Sequence, residues 1–363
     1  HPIKSDIEIE EENAFSKDSI IESSISFHRN GDYKNAKKYY EFFLNQGFSD
    51  PAIISNYGLI CDEEGDINKA TELYEKSIRE YPNSPDAYSN LASILIDNMQ
   101  YDKAIILAKK AIALKPNFAM AYNNLGTSLI RQGNIYEAEE YIKKSIKYNP
   151  NNAQSHFNQA TISRHSGDLI KAQQSISKAI RIKQDFSDAH ELLGLIMKEQ
   201  GKYKEALKCT EDAIKIKPDK ASYHIQMGFF LSSISEIYES EKAVQKAIEL
   251  EPKSAEAYCL LGVIYNQKGN LLNELKSYKK ALKINPNSSD IKSALIKSAS
   301  KLSDFKSINT FLPELDSLGL DPQQVINPFM VAHLEDNPKN YQIRATNFYN
   351  SAFKRPKSAI AYT

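Results

Sequence analysis

Three histidines, His156, His190 and His224, stand 34 residues apart. Imidazoles can share a zinc ion or pass a proton, but either task brings the rings within a few ångströms of their partners. One ring per copy of a long repeat does not do that. Other copies carry Tyr88, Tyr122 and Tyr258 at the same place, so these histidines substitute for a packed aromatic and no metal site is expected. Cys61, Cys209 and Cys259 are isolated, with no CxxC pair. That counts against a zinc cluster and a disulfide framework, and fits a reducing, cytoplasmic setting. There is no GxGxxG, P-loop, HExxH or supported Ser/His/Asp arrangement, so the chain alone is expected to be no enzyme and to use no cofactor. The chemistry that does recur is an amide: Asn56, Asn90, Asn124 and Asn158, again 34 residues apart. A primary amide offers a donor and an acceptor, the complement of an extended peptide backbone.

The elements that position these residues follow from the same period. Small residues recur as Gly58, Ala92, Gly126, Ala160, Gly194, Gly228 and Gly262. Twelve residues later come Ala70, Ala104, Ala138, Ala172 and Ala206, with departures at Ser240 and Glu274. A third small column runs from Ser77 to Ala281, and a proline closes most copies (Pro82, Pro116, Pro150, Pro218, Pro252, Pro286), with Gln184 the exception. Mid-repeat glycines are Gly65, Gly133, Gly167, Gly201 and Gly269, replaced by Met99 and Ser235 in the other two copies. A glycine relieves a left-handed turn between two helices, the small columns let those helices approach closely, and the proline stops the second helix. In PNSPDAY and PNFAMAY the polar residue after the proline is expected to cap the next helix. Full repeats are read at 51–288, degenerate ones at 17–50 and from 289 to about 318.

Charge and composition bound the function. The 363 residues hold 46 Lys+Arg against 46 Asp+Glu, so the balance gives no reason to expect nucleic acid or an anionic membrane as partner. No window approaches 18 apolar residues, so no membrane span is expected. The acidic, Met-less start at 1–16 reads as a flexible segment at a processing boundary, and the chain is expected to be part of a longer protein.

The 34-residue helix–turn–helix unit resembles the tetratricopeptide repeat, which implies an all-α, right-handed superhelix, an α-solenoid whose first helix in each repeat lines a concave groove. The segments 82–92 and 117–126 (PNSPDAYSNLA, PNFAMAYNNLG) are similar to repeats of O-linked N-acetylglucosamine transferases and SPINDLY-type relatives, and 326–356 is similar to the segment leading to their catalytic domain. That resemblance implies a short helical cap or linker over 319–363 and an asparagine ladder, Asn56, Asn90, Asn124 and Asn158, that holds polypeptide in the groove. Leu192 and Leu260 depart from the ladder. Asn123, Arg131 and Arg164 join it as candidate groove residues, and polypeptide substrates or adaptor proteins are the implied partners, with room for a homo-oligomer. The two sugar-nucleotide-binding lobes of that family have no counterpart here. A free-standing scaffold or assembly factor is the alternative, and the sparse basic groove counts against a receptor for terminal carboxylates.

Overall fold

The computed structural model describes residues 16–299 and 301. Seventeen α-helices and no strand occur among them. They divide into two compact units, with the boundary between Gln184 and Asp185. The N-terminal unit holds α1 (Lys17–Arg29), α2 (Tyr33–Asn45), α3 (Pro51–Glu63), α4 (Ile67–Glu80), α5 (Pro85–Asp97), α6 (Tyr101–Leu114), α7 (Ala119–Arg131), α8 (Ile135–Tyr148), α9 (Ala153–His165) and α10 (Leu169–Ile182). The C-terminal unit holds α11 (Ser187–Glu199), α12 (Tyr203–Ile216), α13 (Ala221–Ser233), α14 (Ile237–Leu250), α15 (Ala255–Gln267), α16 (Leu271–Ile284) and α17 (Ser289–Ala299). Odd-numbered helices are the A helices of the repeats and even-numbered ones the B helices. The segment expected at 1–16, apart from Ser16, which caps α1, and the cap or linker expected at 319–363 lie outside the described residues.

The local chemistry of the turns explains the period. Gly65, Gly133, Gly167, Gly201 and Gly269 all take positive φ, and so do Met99 (φ 58°) and Ser235 (φ 68°), the two residues that replace glycine there. Packing of the hairpin on both sides therefore imposes the left-handed turn even on residues that pay a steric penalty for it. Helix starts are capped by side chains in places: Asp32, Asp66, Asp168 and Asn270 on B helices, Asp50, Asn152 and Ser254 on A helices. The capping expected at PNSPDAY and PNFAMAY is not found. Ser84 makes no side-chain cap bond, and the N-cap of α7 is Phe118 rather than Asn117. Only a side-chain oxygen aimed at the first-turn amides caps a helix, and a polar residue near the proline does not ensure that aim.

The small columns act as expected, each against a particular partner. A Cβ on Gly58 would lie 2.5 Å from the Tyr74 ring, and one on Gly126 would lie 2.5 Å from Ile142 Cδ1. Where the A helix has Ala92, the facing B-helix residue is the small Ala108, and both are wholly buried. Within each unit the A helices of successive repeats approach one another directly, α3 with α5, α5 with α7, α7 with α9, and α13 with α15. This tight spacing makes the A layer the inner one, and polar A-helix residues meet across it.

Candidate binding face

The asparagine positions are governed by one inter-repeat register. Asn124 Nδ2 donates to the Ser89 carbonyl at 2.8 Å and to Ser89 Oγ at 3.3 Å. Asn158 Nδ2 donates to Asn123 Oδ1 at 3.0 Å and to Thr127 Oγ1 at 2.8 Å. Both amides reach back 35 residues, one more than the period, to the neighbouring A helix. Ser155 Oγ adds a bond to Asn123 Oδ1 at 3.1 Å, and Asn123, Asn124 and Asn158 are all buried. Asn56 is half-buried and Asn90 buried. Their amides lie beside the buried Tyr40 and Tyr74 hydroxyls without closing a hydrogen bond. Burial pushes both phenols up, and each neighbouring amide eases that shift.

Polar A-helix neighbours are thus bound to each other, which stiffens the inner layer because a buried amide left unpaired would cost about 1–3 kcal/mol. Sequence reasoning found the asparagines but missed their partners Ser89, Thr127 and Ser155. The available signal was a second polar column, one residue before the asparagines, at Ser55, Ser89, Asn123 and (as a residue of another type) Phe157.

Two of the three recurrent histidines share one task. His156 Nε2 donates to the Pro150 carbonyl at 2.9 Å and His224 Nε2 to the Pro218 carbonyl at 2.8 Å. Tyr88 and Tyr122 donate from their hydroxyls to Pro82 and Pro116 in the same way, at 3.1 and 3.2 Å. Either ring type ties the start of an A helix to the closing proline six residues earlier. Burial holds the His156 imidazole below its ordinary range, only partly offset by that carbonyl, which favours the neutral ring. Among the described residues no group of three His, Cys, Asp or Glu could hold a metal ion.

Toward the C-terminal ends of α7 and α9 the A-helix side chains are more accessible. Arg131 is exposed and Arg164 half-buried. Thr127, Phe157 and Thr161 are half-buried beside them. In the C-terminal unit the pattern changes at the positions of Leu192, Gln226 and Leu260. Gln226 Nε2 donates to Glu191 Oε1 at 2.9 Å in the same 35-residue register, and Lys220 bridges Asp188 and Glu191 at 3.0 Å each. Burial alone would lower the Lys220 ammonium, but Glu191 and Asp188 outweigh it and hold the pKa high. Lys198 covers the Phe229 ring at 4.5 Å.

Known proteins match this arrangement as follows. Family models described as tetratricopeptide repeat match residues 52–84, 73–106, 119–152, 141–174, 187–220 and 255–288. No curated protein matches the sequence. Among solved structures, the chain is similar to one in the APC/C hetero-tetramer Cut9-Hcn1, with TM-score 0.63 and 12% identity over 78% of this chain and 56% of that one. A monomeric IFIT1 mutant with Gppp-AAAA has TM-score 0.59 and 17% identity over 91% of this chain and 79% of that one. Pseudomonas aeruginosa pilF has TM-score 0.52 and 17% identity over 58% and 95%. The chain spans little more than half the length of the Cut9-Hcn1 chain, and at these identities the likenesses speak for the fold alone. Among the described residues no helix is long and apolar enough to cross a membrane.

Proposed function

From a chain built as a solenoid of tetratricopeptide repeats, we propose a polypeptide-recruiting domain that takes substrates or adaptor proteins along the inner A-helix face of its N-terminal unit. The observation that carries this reading is the continuous polar layer of α5, α7 and α9, tied by the Asn124 and Asn158 bonds. Asn56, Asn90, Asn123, Asn124 and Asn158 form the floor of the site, and Arg131 and Arg164 form its rim. A floor already rigid in the free protein loses little conformational freedom on binding, so even a modest set of rim contacts yields useful affinity.

Two settings fit this role. One is the arm of an O-linked N-acetylglucosamine transferase-like enzyme in the cytoplasm, suggested by the residues at 82–92, 117–126 and 326–356. The other is a free-standing scaffold, with the same groove and no associated catalysis. The gene sequence following Thr363 separates them, since absence of a glycosyltransferase domain there removes the first setting and leaves the second. Recruitment itself is tested by titrating fluorescent peptides in extended form against the chain and against Arg131→Ala with Arg164→Ala. Affinity that is unchanged in the double variant, with helicity preserved, overturns the proposed face.

A further inference from the structure

The staples between A helices fix which end of each amide is left for a ligand. The Ser89 carbonyl can only accept, so the end of Asn124 that meets it at 2.8 Å is nitrogen. Thr127 gives its hydroxyl proton to the Asn123 carbonyl at 2.8 Å, so toward Asn158 it too can only accept, and the end of Asn158 that meets it is nitrogen. That nitrogen also donates to Asn123, so the end of Asn123 it meets is oxygen, and Ser155 Oγ donates to the same oxygen. Asn124 has thus used its donor within the chain, and Asn123 its acceptor.

The opposite end of each group remains. Asn123 Nδ2 and Asn124 Oδ1 have no hydrogen-bond partner among the described residues, although the two residues are only 6% and 5% exposed. Neither atom is sealed off, unlike the Tyr40, Ser55 and Tyr74 hydroxyls, which are buried without a partner. Asn158 differs, since its oxygen takes a long bond from Gln154 Nε2 at 3.5 Å. Asn124 turns its nitrogen toward α5 and Asn123 its oxygen toward α9, so the remaining end of each planar amide is the one turned away from that neighbour. Adjacent residues of α7 therefore offer one donor and one acceptor of fixed polarity. No other described A helix has asparagine at both positions: α3 has Ser55 and Asn56, α5 has Ser89 and Asn90, and α9 has Phe157 and Asn158. A ligand entering here takes solvent from both ends and loses affinity unless it supplies a partner for each. A primary carboxamide does so from one edge, with its oxygen to Asn123 Nδ2 and its nitrogen to Asn124 Oδ1. A carboxylate brings acceptors only and an ammonium donors only, and a trans peptide unit holds its N–H and C=O on opposite edges.

Resting on the polypeptide-recruiting role proposed above, we propose that Asn123 and Asn124 together read an asparagine or glutamine side chain of the bound polypeptide. Selectivity at α7 is then for an uncharged amide over an acid or an amine of similar size.

The test titrates the full chain with four end-blocked nonapeptides of Ser, Ala and Thr that carry a central Gln, Glu, Lys or norleucine. The Gln peptide is expected to bind about tenfold more tightly than the norleucine peptide, the scale of one to two net hydrogen bonds, and more tightly than the Glu and Lys peptides. Asn123→Asp keeps the oxygen that Ser155 and Asn158 need and turns the free donor into a second acceptor. This variant is expected to lose the Gln preference and to favour the Lys peptide. Asn124→Ala, which removes the free acceptor, is expected to cost the Gln peptide its advantage as well, and circular dichroism checks that both variants keep the parent's helicity. Equal binding of the Gln and norleucine peptides to the parent overturns the carboxamide site and leaves the recruiting role standing. A Gln preference that survives in both variants overturns the assignment to Asn123 and Asn124. Absence of binding by all four peptides overturns the recruiting role and the carboxamide site together.

Discussion

Replacing Asn158 by alanine separates a structural ladder from a ligand-gripping one. The Asn158 amide is almost fully buried, at 3% exposure, and donates to both Asn123 Oδ1 and Thr127 Oγ1. Two net hydrogen bonds contribute about 2 kcal/mol. Neither acceptor is left without a partner, since Ser155 still donates to Asn123 Oδ1 and Thr127 itself donates to the Asn123 carbonyl, so no further desolvation cost is added. Alanine returns about 0.6 kcal/mol of helix propensity. The net expectation is a loss of about 1.5 kcal/mol. Urea unfolding followed by circular dichroism reads the total. Because repeat arrays open locally, native-state hydrogen exchange of the amides in α7 and α9 reads whether the loss sits at that junction. A variant as stable as the parent, or more stable by the propensity gain alone, would refute the staple. Such a result joined to weaker peptide binding would return the asparagine to direct contact with ligand.

Other outcomes follow from packing and charge. Gly126→Ala should destabilise by about 1–3 kcal/mol, because its new methyl would lie 2.5 Å from Ile142 Cδ1. Gly194→Ala, whose nearest neighbours would be 3.4 Å away, should be neutral or stabilising by up to about 1 kcal/mol; thermal melts of the two compare them directly. Met99→Gly should raise stability by about 1 kcal/mol in denaturant titration, because Met99 is exposed and held at φ 58°. Glu274 is 2% exposed, and burial alone would raise its carboxyl, but Ser298, Asn266 and Lys301 hold it below the ordinary value of 4.5. A carboxyl with a lowered folded pKa contributes stability above pH 4.5 and loses it as pH falls through the folded value. The parent should therefore lose more melting temperature between pH 6 and pH 3 than Glu274→Gln does, and equal losses would remove this group from the acid response.

Legibility from sequence differed by kind of feature. The helix–turn–helix period, the hairpin turns and the small columns could be read from 34-residue spacing because each reports packing repeated in every copy. Departures from the columns were visible, but their meaning was not. Ser240, in an alanine column, donates to the Gly228 carbonyl at 2.6 Å, and Glu274, in the same column, is buried against Asn266, Ser298 and Lys301. Each departure is satisfied by a residue that only the fold brings near. The capping expected from PNSPDAY and PNFAMAY failed for a related reason, since the fold sets which residue stands at the N-cap and where its side chain aims, Phe118 in one case and an unaimed Ser84 in the other.

Sequence alone determined that this chain is a row of paired helices, because a repeat with small residues, turn-formers and stop residues at constant spacing has few other ways to bury its apolar faces. It also determined which positions recur on the inner layer. Tertiary structure decided what those positions do. Several neighbouring A helices are bonded at a 35-residue offset rather than 34, so these inner side chains face a different column from their own in the next repeat. Whether an asparagine finds a serine, another asparagine or only a tyrosine ring depends on that one-residue shift. At that offset Asn124 and Asn158 found partners in their own chain, which is why two of the asparagines act as staples between repeats.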